Sequence, residues 1–145
     1  MIDLWKGIYY AQKAEQNRLE LNLDARETLL VYADAELDVP EKEKEMFLGD
    51  WTERFELLEQ SENCKKYTYT YVSDLPTKTE QFLVRGEEMA ECYCNGMFVD
   101  VSFWGPHKFE IGRFLKEGTN EIQVILTGNA ANIYCDAEIP FGLKK

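Results

Sequence analysis

Side chains that could support catalysis are few in this sequence, although acidic residues are plentiful. His107 is the single histidine, so a zinc site built from several histidines is excluded. No serine lies in a Gly-x-Ser-x-Gly motif, and no glycine-rich phosphate-binding motif is present. Glycoside hydrolysis needs two carboxylates at a set distance, but the acidic residues fall at positions typical of solvated charge. The sequence therefore predicts a protein that is not an enzyme.

The four cysteines are Cys64, Cys92, Cys94 and Cys135. Cys92 and Cys94 lie two residues apart on one predicted strand, so they point to the same face. Free cysteines are often buried, and we interpret this pair as small core residues. A metal site would need further ligands at a known spacing, and no spacing favours a nucleophilic pair with His107. We expect reduced thiols, a cytoplasmic location and no cofactor.

Aromatic and polar side chains near predicted strand ends could instead bind a ligand. Sugar rings pack their C–H faces on Trp and Tyr rings, while their hydroxyls pair with planar polar groups. Trp104 follows a predicted strand at a Gly-Pro break, and His107 and Arg113 are candidate hydrogen-bonding neighbours. Trp51, beside a predicted turn, is a second candidate. The alternative for Trp104 is that it caps the fold or packs on a neighbouring domain.

The element that must position these side chains is a hairpin centred on Asn95-Gly96. This dipeptide suits a type I′ turn, in which both central residues have a positive φ. Apolar residues alternate with others on both flanks and again in a later strand. These alternating residues are Cys92 and Cys94, then Val99, Val101 and Phe103, and then Ile122, Val124 and Leu126.

Further strands are predicted on both sides of this hairpin. Tyr67, Tyr69 and Tyr71 alternate in the clearest strand of the first half, and residues 82–84 form a short one. The apolar run at 29–33 indicates a buried strand, residues 17–23 an earlier one, and residues 130–135 a final one. About nine or ten short strands separated by turns predict an all-β sandwich or jelly roll.

A longer motif runs through this region: Asn-Gly, then Phe-x-Ile, then Leu-Lys-x-Gly-x-Asn-x-Ile-x-Val. It comprises Cys94, Asn95, Gly96, Val99, Phe109, Glu110, Ile111, Leu115, Lys116, Gly118, Asn120, Ile122 and Val124. The motif resembles the sugar-binding jelly-roll domain of glycoside hydrolase family 2 and related carbohydrate-active enzymes. Glu110 and Gly112 depart from the family pattern, which has Asp and Thr there. The resemblance, clearest over residues 65–130, implies a galactose-binding-like β-sandwich that supports a catalytic module or contacts sugar. Such domains sometimes hold a structural calcium ion, for which no loop here is specifically marked.

Length and composition indicate a folded domain, with 145 residues of which 45% are hydrophobic. We expect residues 1–145 to form a single β-sandwich domain. Within it, residues 1–39 would add strands or be the remnant of a neighbouring domain. A run of alternating charges makes residues 40–50 the place for any boundary.

The charge of the chain limits its partners. A net charge of −11 repels phosphate backbones and anionic lipid, so we expect neither nucleic acid nor a membrane as partner. The chain has no run of eighteen apolar residues and no apolar stretch of a signal peptide at its start.

Together these observations predict a non-catalytic carbohydrate-binding or accessory domain associated with a glycoside hydrolase. Its partner would be carbohydrate or a neighbouring catalytic domain. The alternative is a structural or protein-interaction β-sandwich without sugar affinity of its own. A concave pocket at a strand end beside Trp104 would favour sugar binding, whereas an exposed apolar patch near Trp5, Tyr9 and Tyr10 would favour the alternative.

Overall fold

The computed structural model describes residues 2–3, 8–9, 21, 29–31, 45–86, 88–128, 131–134 and 139–145. The strands in this part of the chain are β1 (Ile2–Asp3), β2 (Ile8–Tyr9), β3 (Leu29–Leu30), β4 (Met46–Asp50), β5 (Glu56–Gln60), β6 (Cys64–Ser73), β7 (Glu80–Val84), β8 (Met89–Cys94), β9 (Met97–Ser102), β10 (His107–Glu110) and β11 (Gly118–Thr127). Two 3-10 turns, Thr52–Arg54 and Gly112–Phe114, and a four-residue helical turn, α1 (Ala131–Tyr134), complete the described elements. The all-β prediction is confirmed.

The chain divides into two compact units, Met1–Lys44 and Glu45–Lys145. In the first unit, β1 pairs antiparallel with β2 on one side and with β3 on the other. That residues 1–145 form a single domain stays a prediction.

The described side chains of the predicted buried strand at 29–33 are not buried. Leu30 is 50% exposed and Val31 44% exposed. A continuous apolar run does not reveal which of its faces other elements will cover, and here these two side chains stay at the surface. The predicted strand at 17–23 lies outside the described residues except for Leu21, which belongs to no strand. Trp5 and Tyr10 also lie outside them.

The second unit is a β-sandwich of two sheets. Strands β5, β6, β11, β8 and β9 form an antiparallel sheet in that order, and β10, β7 and β4 form the other. Within the smaller sheet β7 pairs antiparallel with β10 and parallel with β4. The two ten-residue strands β6 and β11 pair along their whole length, from Gly118 opposite Ser73 to Thr127 opposite Cys64. This ladder forms the centre of the larger sheet.

The core follows the predicted alternation along the central strands. Fully buried side chains point inward from β8 and β11, namely Cys92, Cys94, Ile122, Val124 and Leu126. The smaller sheet contributes Phe82 and Phe109, and residues before β5 contribute Trp51 and Phe55. Trp51 stacks on Phe82 with ring centroids 4.5 Å apart and planes 13° apart. Burial of each large side chain stabilises the fold by about 1.5–3 kcal/mol.

The central hairpin is confirmed. Asn95 has φ 53° and Gly96 has φ 78°, so the turn joining β8 to β9 uses the left-handed conformations that the dipeptide favours. A bulge then interrupts the pairing, because Tyr93 lies opposite Phe98 whereas Cys92 lies opposite Asp100. The extra residue on β9 shifts the alternation that the sequence predicted for its side chains.

The predicted strand at 130–135 is wrong, because Ala131–Tyr134 forms a helical turn. Short apolar runs do not distinguish a helix from a strand by their pattern alone. Residues 139–145 then pack along β6. The Lys65 ammonium donates to the carbonyl of Phe141 at 2.8 Å, and the Leu143 N–H donates to the Tyr67 hydroxyl at 3.3 Å. Among the described helices, none has the length and apolar character needed to span a bilayer.

Candidate functional site

The four residues that the sequence predicts for ligand binding do not form one site. Trp104 is 57% exposed and lies in the loop at 103–106, whereas His107, the first residue of β10, is fully buried. Arg113 follows the far end of β10, where its exposed guanidinium lies 3.9 Å from Glu110. Trp51 is 1% exposed and belongs to the core. Only Trp104 and His107 are therefore brought together, on either side of one loop.

Trp104 has an aromatic neighbour, Phe103, whose exposure the sequence did not predict. Phe103 is 53% exposed, and its ring centroid lies 6.1 Å from that of Trp104, with the planes tilted by 55°. The alternation had placed Phe103 in phase with Val99 and Val101. Because β9 ends at Ser102 and contains a bulge, that phase does not reach Phe103. We call the two rings the Phe103–Trp104 platform.

Hydrogen bonds at the end of β9 fix the backbone of this loop. The Ser102 hydroxyl donates to the Trp104 carbonyl at 3.3 Å, and His107 Nδ1 lies 2.9 Å from the same hydroxyl oxygen. The Ser102 hydroxyl therefore lies within hydrogen-bonding distance of both the Trp104 carbonyl and the His107 ring. His107 therefore holds the loop from inside the fold.

Burial sets the charge of His107. It lowers the pKa of the imidazole to about 4, although the nearby backbone of Glu88 acts in the opposite direction. The ring is therefore neutral at neutral pH. Its Nε2 atom is buried and has no hydrogen-bond partner within the described part of the chain. A group enclosed in this way positions the loop and does not itself meet a ligand on the platform.

The loop also packs directly on the chain before β8. A Cβ atom added to Gly105 would overlap the carbonyl oxygen of Gly86, so no other residue fits without displacing the backbone. The peptide bond between Gly105 and Pro106 is cis. The platform thus stands on a loop held by Ser102 and His107 on one side and by Gly86 on the other.

The cysteines predicted as core residues are confirmed as such. Cys92 and Cys94 are fully buried, and Cys64 is also a free thiol. Burial raises the pKa of Cys92 well above its ordinary value, with smaller contributions from Cys94 and Asp100. Burial also raises the pKa of Cys94 to about 11, against the opposing charge of Lys116. Neither thiol forms a reactive thiolate readily at neutral pH. Across the described ranges, no three His, Cys, Asp or Glu side chains cluster as metal ligands would.

Comparison with known proteins gives little that is specific to this chain. No protein-family model matches it. No curated protein matches it either.

Several solved structures are similar to a part of this chain, and two of them are named below. One is a rhamnosidase from Novosphingobium sp. PP1Y, with 15% sequence identity and a TM-score of 0.38, over 48% of this chain and 7% of that protein. The other is an FMN-binding beta-glucuronidase from Facaelibacterium prausnitzii L2-6, with 15% identity and a TM-score of 0.37, over 46% of this chain and 11% of that protein. The chain thus spans a small fraction of either structure, and at these TM-scores neither one bears on its function.

Proposed function

We propose that this chain is a non-catalytic carbohydrate-binding or accessory domain, associated with a glycoside hydrolase, that makes contact through the Phe103–Trp104 platform. The observation that carries the proposal is a pair of adjacent aromatic rings, each about half exposed, on a loop fixed by buried contacts. Burying such a ring would stabilise a fold by about 1.5–3 kcal/mol. A rigid loop that leaves two rings at the surface provides a ready contact area for a ligand or a partner.

The chemistry of the platform suits a neutral sugar. Pyranose rings present apolar C–H faces, and these pack on aromatic rings. The net charge of −11 repels anionic polymers but leaves a neutral sugar unaffected. The motif that resembles the sugar-binding jelly-roll domain lies in the same compact unit and includes the hairpin before the platform. These points support carbohydrate as the ligand.

The test is titration with a panel of neutral mono- and oligosaccharides. Tryptophan fluorescence follows binding to the wild type, Phe103→Ala and Phe98→Ala, and calorimetry follows binding to Trp104→Ala, which lacks the reporter. Phe98 is a matched control because it is also about half exposed but packs against Tyr93 on the sheet. We expect saturable binding that both platform variants weaken at least about tenfold, or about 1.4 kcal/mol, and that Phe98→Ala leaves unchanged. No response up to about 10 mM would exclude autonomous sugar binding, since an interaction of about 3 kcal/mol would then be visible.

A second candidate function is protein interaction through the same edge of the sandwich. Strand β9 is an edge strand, and Met97 and Phe98 on it are about half exposed, like the platform rings that follow. Exposed apolar side chains on an edge strand favour association with another protein surface. This alternative predicts that a hydrophobic dye binds the native protein and that Trp104→Ser weakens dye binding, with no effect of added sugar. Sugar that competes with the dye would favour the first candidate.

A further inference from the structure

A second surface feature lies at the opposite edge of the five-stranded sheet. It is a groove of about 260 Å³ lined by Arg54, Glu56, Thr68, Tyr69 and Thr70. The groove lies beside β5, whereas the platform follows β9, and these are the two edge strands of the sheet. Four inter-strand spacings separate them, which amounts to about 19 Å. The groove is therefore a separate place from the Phe103–Trp104 platform.

The groove exists because β5 is shorter than its neighbour. The first residue of β5, Glu56, pairs with Thr68, so β6 continues past the end of β5 through Ser73 while it pairs with β11 on its other side. Just before β5, the 3-10 turn ends at Arg54, which places this side chain beside the uncovered part of β6. The uncovered part of β6 and the preceding turn thus form the two walls.

Arg54 lies beside two aromatic rings at this groove. Its guanidinium carbon lies 5.9 Å from the ring centroid of Trp51 and 5.9 Å from that of Tyr69. Its Nη1 donates to the Tyr69 hydroxyl at 3.2 Å. Of its five N–H donors only this one has a partner in the described part of the chain, and no described carboxylate pairs with it. The remaining donors form a planar fork at the surface.

The other groups that line the groove complement this fork. Glu56 offers a carboxylate that accepts hydrogen bonds, and it lies opposite Thr68 in the ladder. Thr68 and Thr70 are two residues apart on β6, so their hydroxyls lie on one face of the strand, whereas Tyr69 points to the other face, and the groove at the strand edge is lined by all three. One cationic and one anionic side chain cancel in charge, which favours a neutral ligand over an ion. Donors, acceptors and hydroxyls around one small volume match a polyhydroxylated molecule.

We infer that this groove binds a single neutral pyranose through two adjacent hydroxyl groups, with Arg54 donating to them and Glu56 accepting from them. The volume is below the range of about 300–1,000 Å³ that drug-sized ligands occupy, so it suits one ring and not an extended oligosaccharide. The inference extends the proposed carbohydrate function to a second place, but every residue that carries it is distinct from the platform. Sugar binding at the groove can therefore be refuted while binding at the platform is upheld, and the reverse.

The test is an NMR titration of the ¹⁵N-labelled whole chain with D-glucose, D-galactose and D-mannose, and with D-glucuronate as the charged comparison. We expect saturable shifts of the backbone amides of Arg54, Glu56 and residues 68–70 with at least one neutral sugar. Shifts confined to residues 103–107 would support the platform and overturn the groove. No shift at the groove amides with any sugar would also overturn it.

Variants of the groove residues then test whether sugar binding depends on the groove. Arg54→Met and Glu56→Gln remove the donor fork and the acceptor, and both residues are exposed, so the fold is expected to persist. Arg113→Met is the matched control, because Arg113 is exposed but lies beside Glu110, next to the smaller sheet. We expect affinity to fall at least about tenfold in the first two variants and to stay unchanged in the control. Equal affinity in Arg54→Met and Arg113→Met, or D-glucuronate binding more tightly than every neutral sugar, would overturn the inference.

Discussion

The side-chain amide of Asn95 donates from Nδ2 to Oδ1 of Asn120 at 2.9 Å, and this bond joins the hairpin turn to the start of β11. The same Nδ2 donates to the carbonyl of Phe114 at 3.1 Å. Asn120 is fully buried, accepts from the Lys116 N–H and donates from its own Nδ2 to the carbonyls of Lys116 and Gly118. Two amide side chains thus satisfy the backbone of the connection that leads into the central strand.

Replacement of Asn120 by Ala should therefore destabilise the protein strongly. It removes the partner of the Lys116 and Gly118 carbonyls and of the Lys116 N–H, and one of the two acceptors of the Asn95 amide, at a cost of about 2–4 kcal/mol in the free energy of unfolding. Urea denaturation monitored by circular dichroism measures this loss. Asn95→Gly is the control, because it keeps the positive φ of the turn and removes only the side-chain bonds, for about 1–2 kcal/mol. A stability of Asn120→Ala equal to that of the wild type would contradict the role of this pair.

Buried His107 should make the protein less stable in mild acid. In the unfolded chain its pKa is about 6.5, whereas burial holds the pKa at about 4 in the fold. Between these values the unfolded state binds more protons, so the free energy of unfolding falls as the pH is lowered through that window. This difference in pKa contributes at most about 3 kcal/mol to the free energy of unfolding. Urea denaturation at several pH values between 7 and 4.5 follows the loss.

The His107→Phe variant isolates this contribution. A phenyl ring can occupy the place of the imidazole beside Phe109, where the two rings are nearly parallel, 18° apart. Carboxylates titrate in both proteins, so the difference between the two pH profiles reports His107 alone. We expect the variant to lose less stability between neutral and mildly acidic pH than the wild type. Two parallel profiles would mean that His107 titrates normally in the fold.

Gly105 should tolerate no side chain. A Cβ atom at this position would overlap the Gly86 carbonyl, so Gly105→Ala must displace the loop, and we expect a loss of about 3 kcal/mol or more together with a shift in the emission of Trp104. Gly96→Ala is the matched control, because its Cβ would enter open space and only the positive φ is strained, for about 1 kcal/mol. Thermal denaturation compares the two. A Gly105→Ala protein as stable as the Gly96→Ala protein would refute the close packing on Gly86.

Cys92 and Cys94 should resist alkylation while the protein is folded. Both side chains are fully buried, and burial raises the pKa of each thiol. Iodoacetamide at about pH 8 should therefore modify Cys64, which is partly accessible, before either of them. Mass spectrometry of the digested protein, labelled with and without urea, assigns the modified positions. Rapid labelling of Cys92 in the native protein would show that the core around β8 opens readily.

Sequence patterns alone were enough to predict the central strands β8 and β11 of the second unit and the side chains with which they face its core. Asn95-Gly96 specified a tight turn because both residues tolerate a positive φ, and the period of two in Ile122, Val124 and Leu126 specified which face of β11 is buried. Such local rules depend on neighbours along the chain, so they can be read without tertiary structure. The same period of two puts Asn120 on the buried face as well, but it does not reveal the Asn95 amide and the carbonyls of Lys116 and Gly118 that satisfy its polar side chain there.

Whether each aromatic residue is buried or exposed depends on how the sheets pack. Trp51 and Trp104 both follow predicted strand residues beside glycines, yet Trp51 stacks inside the core on Phe82, whereas Trp104 stays at the surface beside Phe103. An aromatic side chain can lie in the core or at the surface, and it is buried only where a sheet covers it. The groove around Arg54 has the same origin, because it depends on where β5 ends relative to β6. Pairing between strands distant in sequence sets both the burial of these rings and the presence of the groove, and the periodicity of the sequence does not predict that pairing.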